Sequence, residues 1–178
     1  MSTPRVSPGN FSELGLVNWL LSKLAARVVG VRDVHLFSTL GRQRGLFRAW
    51  LFFSSRLMPG GTLSRRDTEL VILRVAQLRD CRYEYEHHVR IGRRFGIGAL
   101  ELAQLAESPS SPYWPPAQRA LLSAVAALVQ TRDIDDATWL SLEPHYTPRQ
   151  LIELCLLVGQ YDGLATTIRA LRIQPDRR

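Results

Sequence analysis

Apolar residues return at three- and four-residue steps along almost the whole chain, and no stretch alternates apolar and polar residues long enough to make a strand. Such a period puts the apolar side chains on one face of a helix, so the chain is restricted to an all-α fold of packed helices. From Phe11 to Val29 the residues Leu14, Val17, Leu20, Leu21, Leu24 and Val28 predict one helix with that stripe half buried. Asp33 is placed to cap a short second helix carrying Val34, Phe37 and Leu40. A third helix is expected from about Leu46 to Leu57, with the row Leu46, Phe47, Trp50, Leu51, Phe53, Leu57 as deep core or subunit contact, and Met58-Pro59-Gly60-Gly61 ends it. Ser64 followed three residues on by Asp67 approximates a capping box for the next helix, whose buried face is Leu70, Leu73, Val75, Ala76 and Leu78. Arg79-Asp80 marks a break, and a helix starts near Cys81 and ends before Gly96. Ile97 to Ala106 reads as a short helix before the Pro-rich loop from Ser108 to Pro116, and Ala117 to Val129 and a short segment capped by Asp135/Asp136 read as further helices after it. Thr147, Pro148 and Gln150 form the start of a long last helix.

At 178 residues the chain is long enough for one domain that folds without disulfide or metal. The expected organisation is a flexible N-terminal segment, residues 1–12, and a single all-α domain over 13–178. Two cysteines, Cys81 and Cys155, are too few for a disulfide scaffold and point to a reducing, cytoplasmic compartment. The net charge of +7 is carried almost wholly by arginine, with Lys23 the single lysine, and is spread from Arg5 to Arg178 instead of loading one element. Nucleic-acid binding is therefore not expected. No apolar stretch is expected to reach the roughly 18–20 residues of a membrane span, and Met1 to Asn10 has no signal-peptide core.

The chemistry concentrates between Glu69 and His88. Glu69 falls on the apolar side of its helix, where an ionised carboxylate needs a partner. Cys81, Glu84 and His88 follow at helical spacing and share one stripe. If the two helices pack as a hairpin, Glu69 faces that stripe. Cys81 at the helix start sits where free backbone N–H groups favour a thiolate. The alternative reading makes Glu84 and His88 a solvated pair and Cys81 a small buried hydrophobe. Glu84-x-x-His87 matches one ligand step of a di-iron bundle, but no second step exists, so no metal site is expected. There is no Gly-rich phosphate loop, no Gly-x-Ser-x-Gly elbow and no Cys-x-x-Cys pair, so no organic cofactor is expected either.

Ser64-Arg-Arg-Asp-Thr-Glu69-Leu-Val-Ile-Leu-Arg followed by Cys81-x-Tyr83-Glu84-x-x-x-His88 resembles the carboxymuconolactone decarboxylase family within the alkylhydroperoxidase D-like superfamily. Trp139, Gln150-Leu-Ile-Glu-Leu and Gly159-Gln-Tyr161 extend the resemblance over roughly residues 35 to 173. It implies an alkylhydroperoxidase D-like helical bundle that assembles as a homo-oligomer, dimer to hexamer. In the peroxidase branch a helical Glu precedes Cys-x-x-Cys-x-x-x-His. Glu69, Cys81 and His88 match, but Glu84 stands where the second cysteine would be, which argues against thiol peroxidase turnover. The implied function is cofactor-independent proton transfer, of decarboxylase, lyase or isomerase type, on a small organic acid or lactone. Glu69, Glu84 and His88 are its candidate catalytic residues, and Cys81, Tyr83, Trp50 and Tyr161 its candidate substrate contacts. The alternative is an antioxidant or oligomeric binding protein of the same superfamily that lacks the cysteine pair.

Overall fold

The computed structural model describes residues 3–107 and 111–176, without the side chains of residues 28 and 29. The Val28 side chain, the loop residues Ser108 to Ser110 and the Arg177/Arg178 tail therefore lie outside what is described. Among the described residues the chain is all-α: nine α-helices, one short 3-10 turn and no strand. It forms two compact units, one built from the chain up to Ser55 together with the part from Thr166 on, the other from Arg56–Ala165.

In the first unit, α1 (Phe11–Val29) opens with a capping box in which Asn10 Oδ1 accepts from the Glu13 amide and Glu13 returns the bond to the Asn10 amide. The apolar stripe read from the sequence is not the buried one. Val17, Leu20 and Leu24 are more than half exposed, while Leu14, Asn18, Ser22 and Ala26 are buried. Gly15 explains the change: its φ of 72° and ψ of 166° break the helix inside its first turns, so the residues after it take a new phase. Asn18 then donates to the carbonyls of Gly41 and Arg44, anchoring α1 to α2 (His35–Leu40) and to the start of α3 (Arg44–Leu57). The N-cap position of α2 is Val34, one residue after Asp33, and the Asp33 carboxylate accepts from the Ser38 hydroxyl. On α3, Phe47 is buried, but Leu46 is about two-thirds exposed and Phe53 more than a third, so only part of the predicted row is core. Phe37, Phe47 and Trp50 form an aromatic cluster with centroids 5.5–6.1 Å apart. The Arg5 amide donates to Leu171, and His35 binds Asp176 and the Gln174 carbonyl.

The second unit is organised around α4 (Arg65–Leu78). Glu69, Leu70, Val71, Ile72, Leu73 and Val75 have no exposed surface, which makes this helix central to the unit. One flank, Val71, Ile72 and Val75, packs into a core with α7 (Pro116–Thr131) and α9 (Pro148–Leu171) through Leu121, Val125, Leu154 and Leu157. The other, Leu70 and Leu73, packs on Ile97, Leu105, Trp114 and Leu122 around α6 (Ala99–Glu107). Ser64 caps α4 as expected, but Asp67 does not complete the box: its carboxylate accepts from Gln118 on α7. Asp80, at φ 49°, turns the chain into α5 (Arg82–Gly92), and α8 (Asp136–Leu142) is capped by Asp135. Asp162 on α9 pairs with Arg79 at the end of α4 and Arg132 at the end of α7, and Arg79 also donates to the Val129 carbonyl. By length and mean hydropathy α9 could cross a bilayer, contrary to the expectation from the sequence, but half of that window is buried in protein, as in a core helix.

The segment before α4 is held from α9. Thr147 and Gln150 make the predicted capping box, and Gln150 also reaches the Thr62 carbonyl. The buried Glu153 accepts from the Thr62 amide and hydroxyl and from the Leu63 amide. Gly61 makes room for this carboxylate, since a Cβ there would overlap Glu153 Oε1 and lie 2.7 Å from the Leu57 carbonyl oxygen. Gly61→Ala is therefore expected to destabilise the protein by about 2 kcal/mol or more. A lowered urea midpoint at unchanged slope checks it; an unchanged midpoint would show that the loop rearranges freely.

Candidate active site

The hairpin of α4 and α5 brings together the residues that the sequence placed on facing stripes. Glu69 is fully buried, and Glu84 and His88 are each 4% exposed. His88 Nδ1 lies 2.7 Å from Glu69 Oε2, and His88 Nε2 lies 3.5 Å from Glu84 Oε2. The first is a short, strong contact; the second is at the outer limit for a hydrogen bond. The imidazole is thus gripped on the α4 side and loosely held on the α5 side.

Two further residues complete the group. Arg65, one turn before Glu69, donates from Nη2 to Glu69 Oε1 at 3.1 Å and lays its guanidinium over the Phe95 ring. Sequence reasoning missed it, although an Arg four residues before a buried Glu is a readable helix pair. Tyr161 on α9, a predicted contact, sets its ring edge-on to His88 with centroids 5.2 Å apart, and its hydroxyl donates to Met58 Sδ.

The other predicted contacts lie elsewhere. Tyr83 is buried and stacks on His87 at 4.7 Å. Trp50 belongs to the first unit, in the Phe37–Phe47 cluster. Cys81 is the N-cap residue of α5, and its side chain makes no cap hydrogen bond. Burial pushes its thiol up, the Glu84 and Asp80 charges add to this, and the nearby amides of Glu84 and Tyr83 offset it only in part. The thiolate expected from the helix start is not favoured: desolvation outweighs the amides. Among the described residues no three His, Cys, Asp or Glu side chains are arranged to hold a metal ion.

Residues 44–127 match the model of the carboxymuconolactone decarboxylase family, a shorter stretch than the roughly 35 to 173 read from the sequence. They contain Glu69, Cys81, Glu84 and His88. That stretch is similar to the carboxymuconolactone decarboxylase family. The fold agrees over a longer span. An alkylhydroperoxidase AhpD core protein of Ralstonia eutropha JMP134 shares 20% identity at a TM-score of 0.80, over 98% of this chain and 94% of that one. A peroxidase-related protein of Silicibacter sp. TM1040 shares 15% at 0.81, over 98% and 95%. The debrominase Bmp8, as a cysteine-to-alanine variant in complex with 2,3,4-tribromopyrrole, shares 16% at 0.81, over 98% and 92%. No curated protein matches the sequence at a significant level.

The site balances two carboxylates against the Arg65 guanidinium and a protonated His88. Burial alone would lower the His88 pKa, but hydrogen bonds and charges from Glu69 and Glu84 outweigh it and raise it to about 9. Tyr161 moves up as well, through burial first and then the Glu84 and Glu69 charges, so its phenol stays protonated. A histidine that titrates near 6.5 unfolded and near 9 folded adds stability that is complete below about pH 6.5 and lost as pH rises through 9. The shift corresponds to on the order of 3 kcal/mol. Imidazole NMR should show His88 titrating near pH 9, with Glu69→Gln lowering that midpoint. A midpoint near the unperturbed value of about 6.5 would show that the carboxylates do not hold the proton.

Proposed function

We propose that the protein is a cofactor-independent acid–base enzyme, of decarboxylase, lyase or isomerase type, acting on a small organic acid or lactone. The observation that carries this reading is the unequal grip on His88, 2.7 Å to Glu69 against 3.5 Å to Glu84. Glu69, tied to Arg65, fixes the ring, and the loosely held Nε2–H is the proton available to a reacting carbon or oxygen. Because His88 is protonated at neutral pH, its first act is general acid catalysis. In a decarboxylation the C–C bond to the carboxylate breaks and its electron pair moves into the adjacent unsaturated carbonyl system. Carbon dioxide leaves and His88 Nε2 protonates the carbon. Glu84, beside the same nitrogen, stabilises the proton as it is restored from water. In an isomerisation Glu84 removes a proton and His88 returns one at another carbon. Tyr161, kept as a phenol beside His88, is the candidate donor to a substrate oxygen.

The same proposal includes a homo-oligomer in a cytoplasmic setting. The exposed row Leu16, Val17, Leu20 and Leu24 on α1 supports self-association, and two free cysteines suit a reducing compartment.

One observation favours a second, thiol-based reading: Cys81 lines an open cavity, in a fold that also includes the debrominase whose cysteine-to-alanine variant binds tribromopyrrole. Against it stand Glu84 at the second cysteine position and the raised Cys81 pKa. The two readings separate in one experiment. With a panel of small lactone-carboxylic acids and β-keto acids, Glu84→Gln and His88→Asn are each expected to lower turnover by about a hundredfold or more, while Cys81→Ser leaves it within a few fold. Loss of activity in Cys81→Ser with Glu84→Gln unaffected would transfer the function to the thiol.

A further inference from the structure

The net charge, strung evenly along the sequence, is not shared evenly by the two compact units. The first, residues 1–55 and 166–178, holds 11 Lys or Arg against 3 Asp or Glu; the second, Arg56–Ala165, holds 12 against 13. The whole excess of +7 therefore belongs to the first unit, which stands at +8 against −1 for the second. The first unit also carries 8 of the 13 large apolar side chains that are exposed among the described residues, so its surface is at once basic and apolar. A charge concentrated in this way attracts anionic partners over a distance, and exposed apolar area rewards a partner that can take it out of water.

Helix α3 gathers both properties on one face. No Asp or Glu occurs between Asp33 and Asp67, so α3 has none. Its inner side is fixed by the buried Phe47 and by Trp50 in the cluster with Phe37. Its outer side carries Arg44, Arg48 and Phe52 at four-residue steps, one row along the helix. Leu46 and Phe53, two turns apart, share the adjoining row. Leu46 and Phe52 are 66% and 65% exposed, and Phe53 is 38% exposed. Glu13 of α1 reaches this region but pairs with Arg42 at 2.7 Å. Arg44 donates to the backbone carbonyls of Ser12 and Glu13, which carry no charge to cancel its own. The Arg48 side chain has no ion pair or hydrogen bond among the described residues.

We propose that the outer face of α3 docks on an anionic lipid bilayer, Leu46, Phe52 and Phe53 entering the boundary between headgroups and acyl chains and Arg44 and Arg48 lying among the lipid phosphates. A helix in the plane of a membrane is held by both contributions, apolar area leaving water and cations among the headgroups. Other occupants match the face less well. Two copies joined through α3 would set two units of like charge against each other, with Arg48 of each uncancelled. A nucleic acid would use the arginines and leave Leu46, Phe52 and Phe53 in water. An acidic peptide would match one row, whereas the excess charge is spread over the whole first unit, as suits an extended anionic surface. The proposal does not depend on the proton-transfer reading, and it uses none of the α1 residues that support self-association.

Co-sedimentation of the full chain with vesicles tests it, using phosphatidylcholine alone and phosphatidylcholine with about one third phosphatidylglycerol. The protein is expected to partition onto the anionic vesicles at least about tenfold more strongly than onto the neutral ones. It should come off them as sodium chloride rises from about 0.05 M to about 0.5 M. Arg48→Glu should weaken the anionic partition about tenfold, and Phe52→Ser combined with Phe53→Ser should weaken it by a similar factor. Arg149→Glu, which makes the same charge change at an exposed position of the second unit, should bind as the parent does. Equal partition onto both kinds of vesicle, none onto either, or the same loss in Arg149→Glu as in Arg48→Glu would overturn the proposal. So would binding of duplex DNA in place of anionic vesicles, or a lipid-free oligomer in sedimentation velocity that the paired serine substitutions dissociate, since each gives the face another occupant. If the paired serine variant does not fold, the comparison of Arg48→Glu with Arg149→Glu decides it.

Discussion

A carboxylate with no exposed surface, Glu69 at the centre of α4, is the constraint on which the second unit depends. Such a charge is tolerated only if cations and hydrogen bonds reach it within the protein. Arg65 supplies one from the same helix and His88 the other from α5. Removing one partner from a buried pair of this kind costs about 3–5 kcal/mol, so the α4–α5 hairpin is fixed electrostatically as well as by its apolar contacts. The tight turn at Asp80 and the Asp162 bridge between Arg79 and Arg132 hold the same hairpin at its far end.

The reactivity of the site follows from the same balance. Two carboxylates against a single guanidinium leave room for one more positive charge, and His88 takes it. Glu84 also bears on Cys81: burial is the first cause that disfavours the thiolate, the Glu84 amide opposes it, and the Glu84 charge adds to it. A site poised this way donates protons well and attacks electrophiles poorly. Glu84 stands where the resemblance places a second cysteine, so the α5 stripe holds a carboxylate and an imidazole beside a single thiol.

The parts of this arrangement that were legible in the sequence are local. Ser64, Asp135 and Thr147 announce their helices because a cap is decided by residues within one turn, and all three act as caps. Glu69 was legible because a carboxylate inside an apolar run violates the pattern around it, and Glu84 and His88 because their spacing sets one face. The failures are those that needed tertiary knowledge. The α1 stripe was read through Gly15 as if the helix were continuous, and one glycine at φ 72° was enough to exchange the buried and exposed faces. Asp67 looked like half of a capping box, but Gln118, 51 residues away, took its carboxylate. Glu153 could not be found at all, because its role arises only where the Gly61 loop folds back onto α9.

The two sides of the α4–α5 hairpin differ in their ionisable groups, and the difference bears on what each can do. Around His88 each charge has a counter-charge, so that group can move a proton without first recruiting one from outside. The cavity on the Cys81 side has neither Glu69, Glu84 nor His88 in its wall, and burial disfavours the thiolate of Cys81, which lines it. Cys81 stands between them, lining the cavity while sharing its helix face with Glu84 and His88.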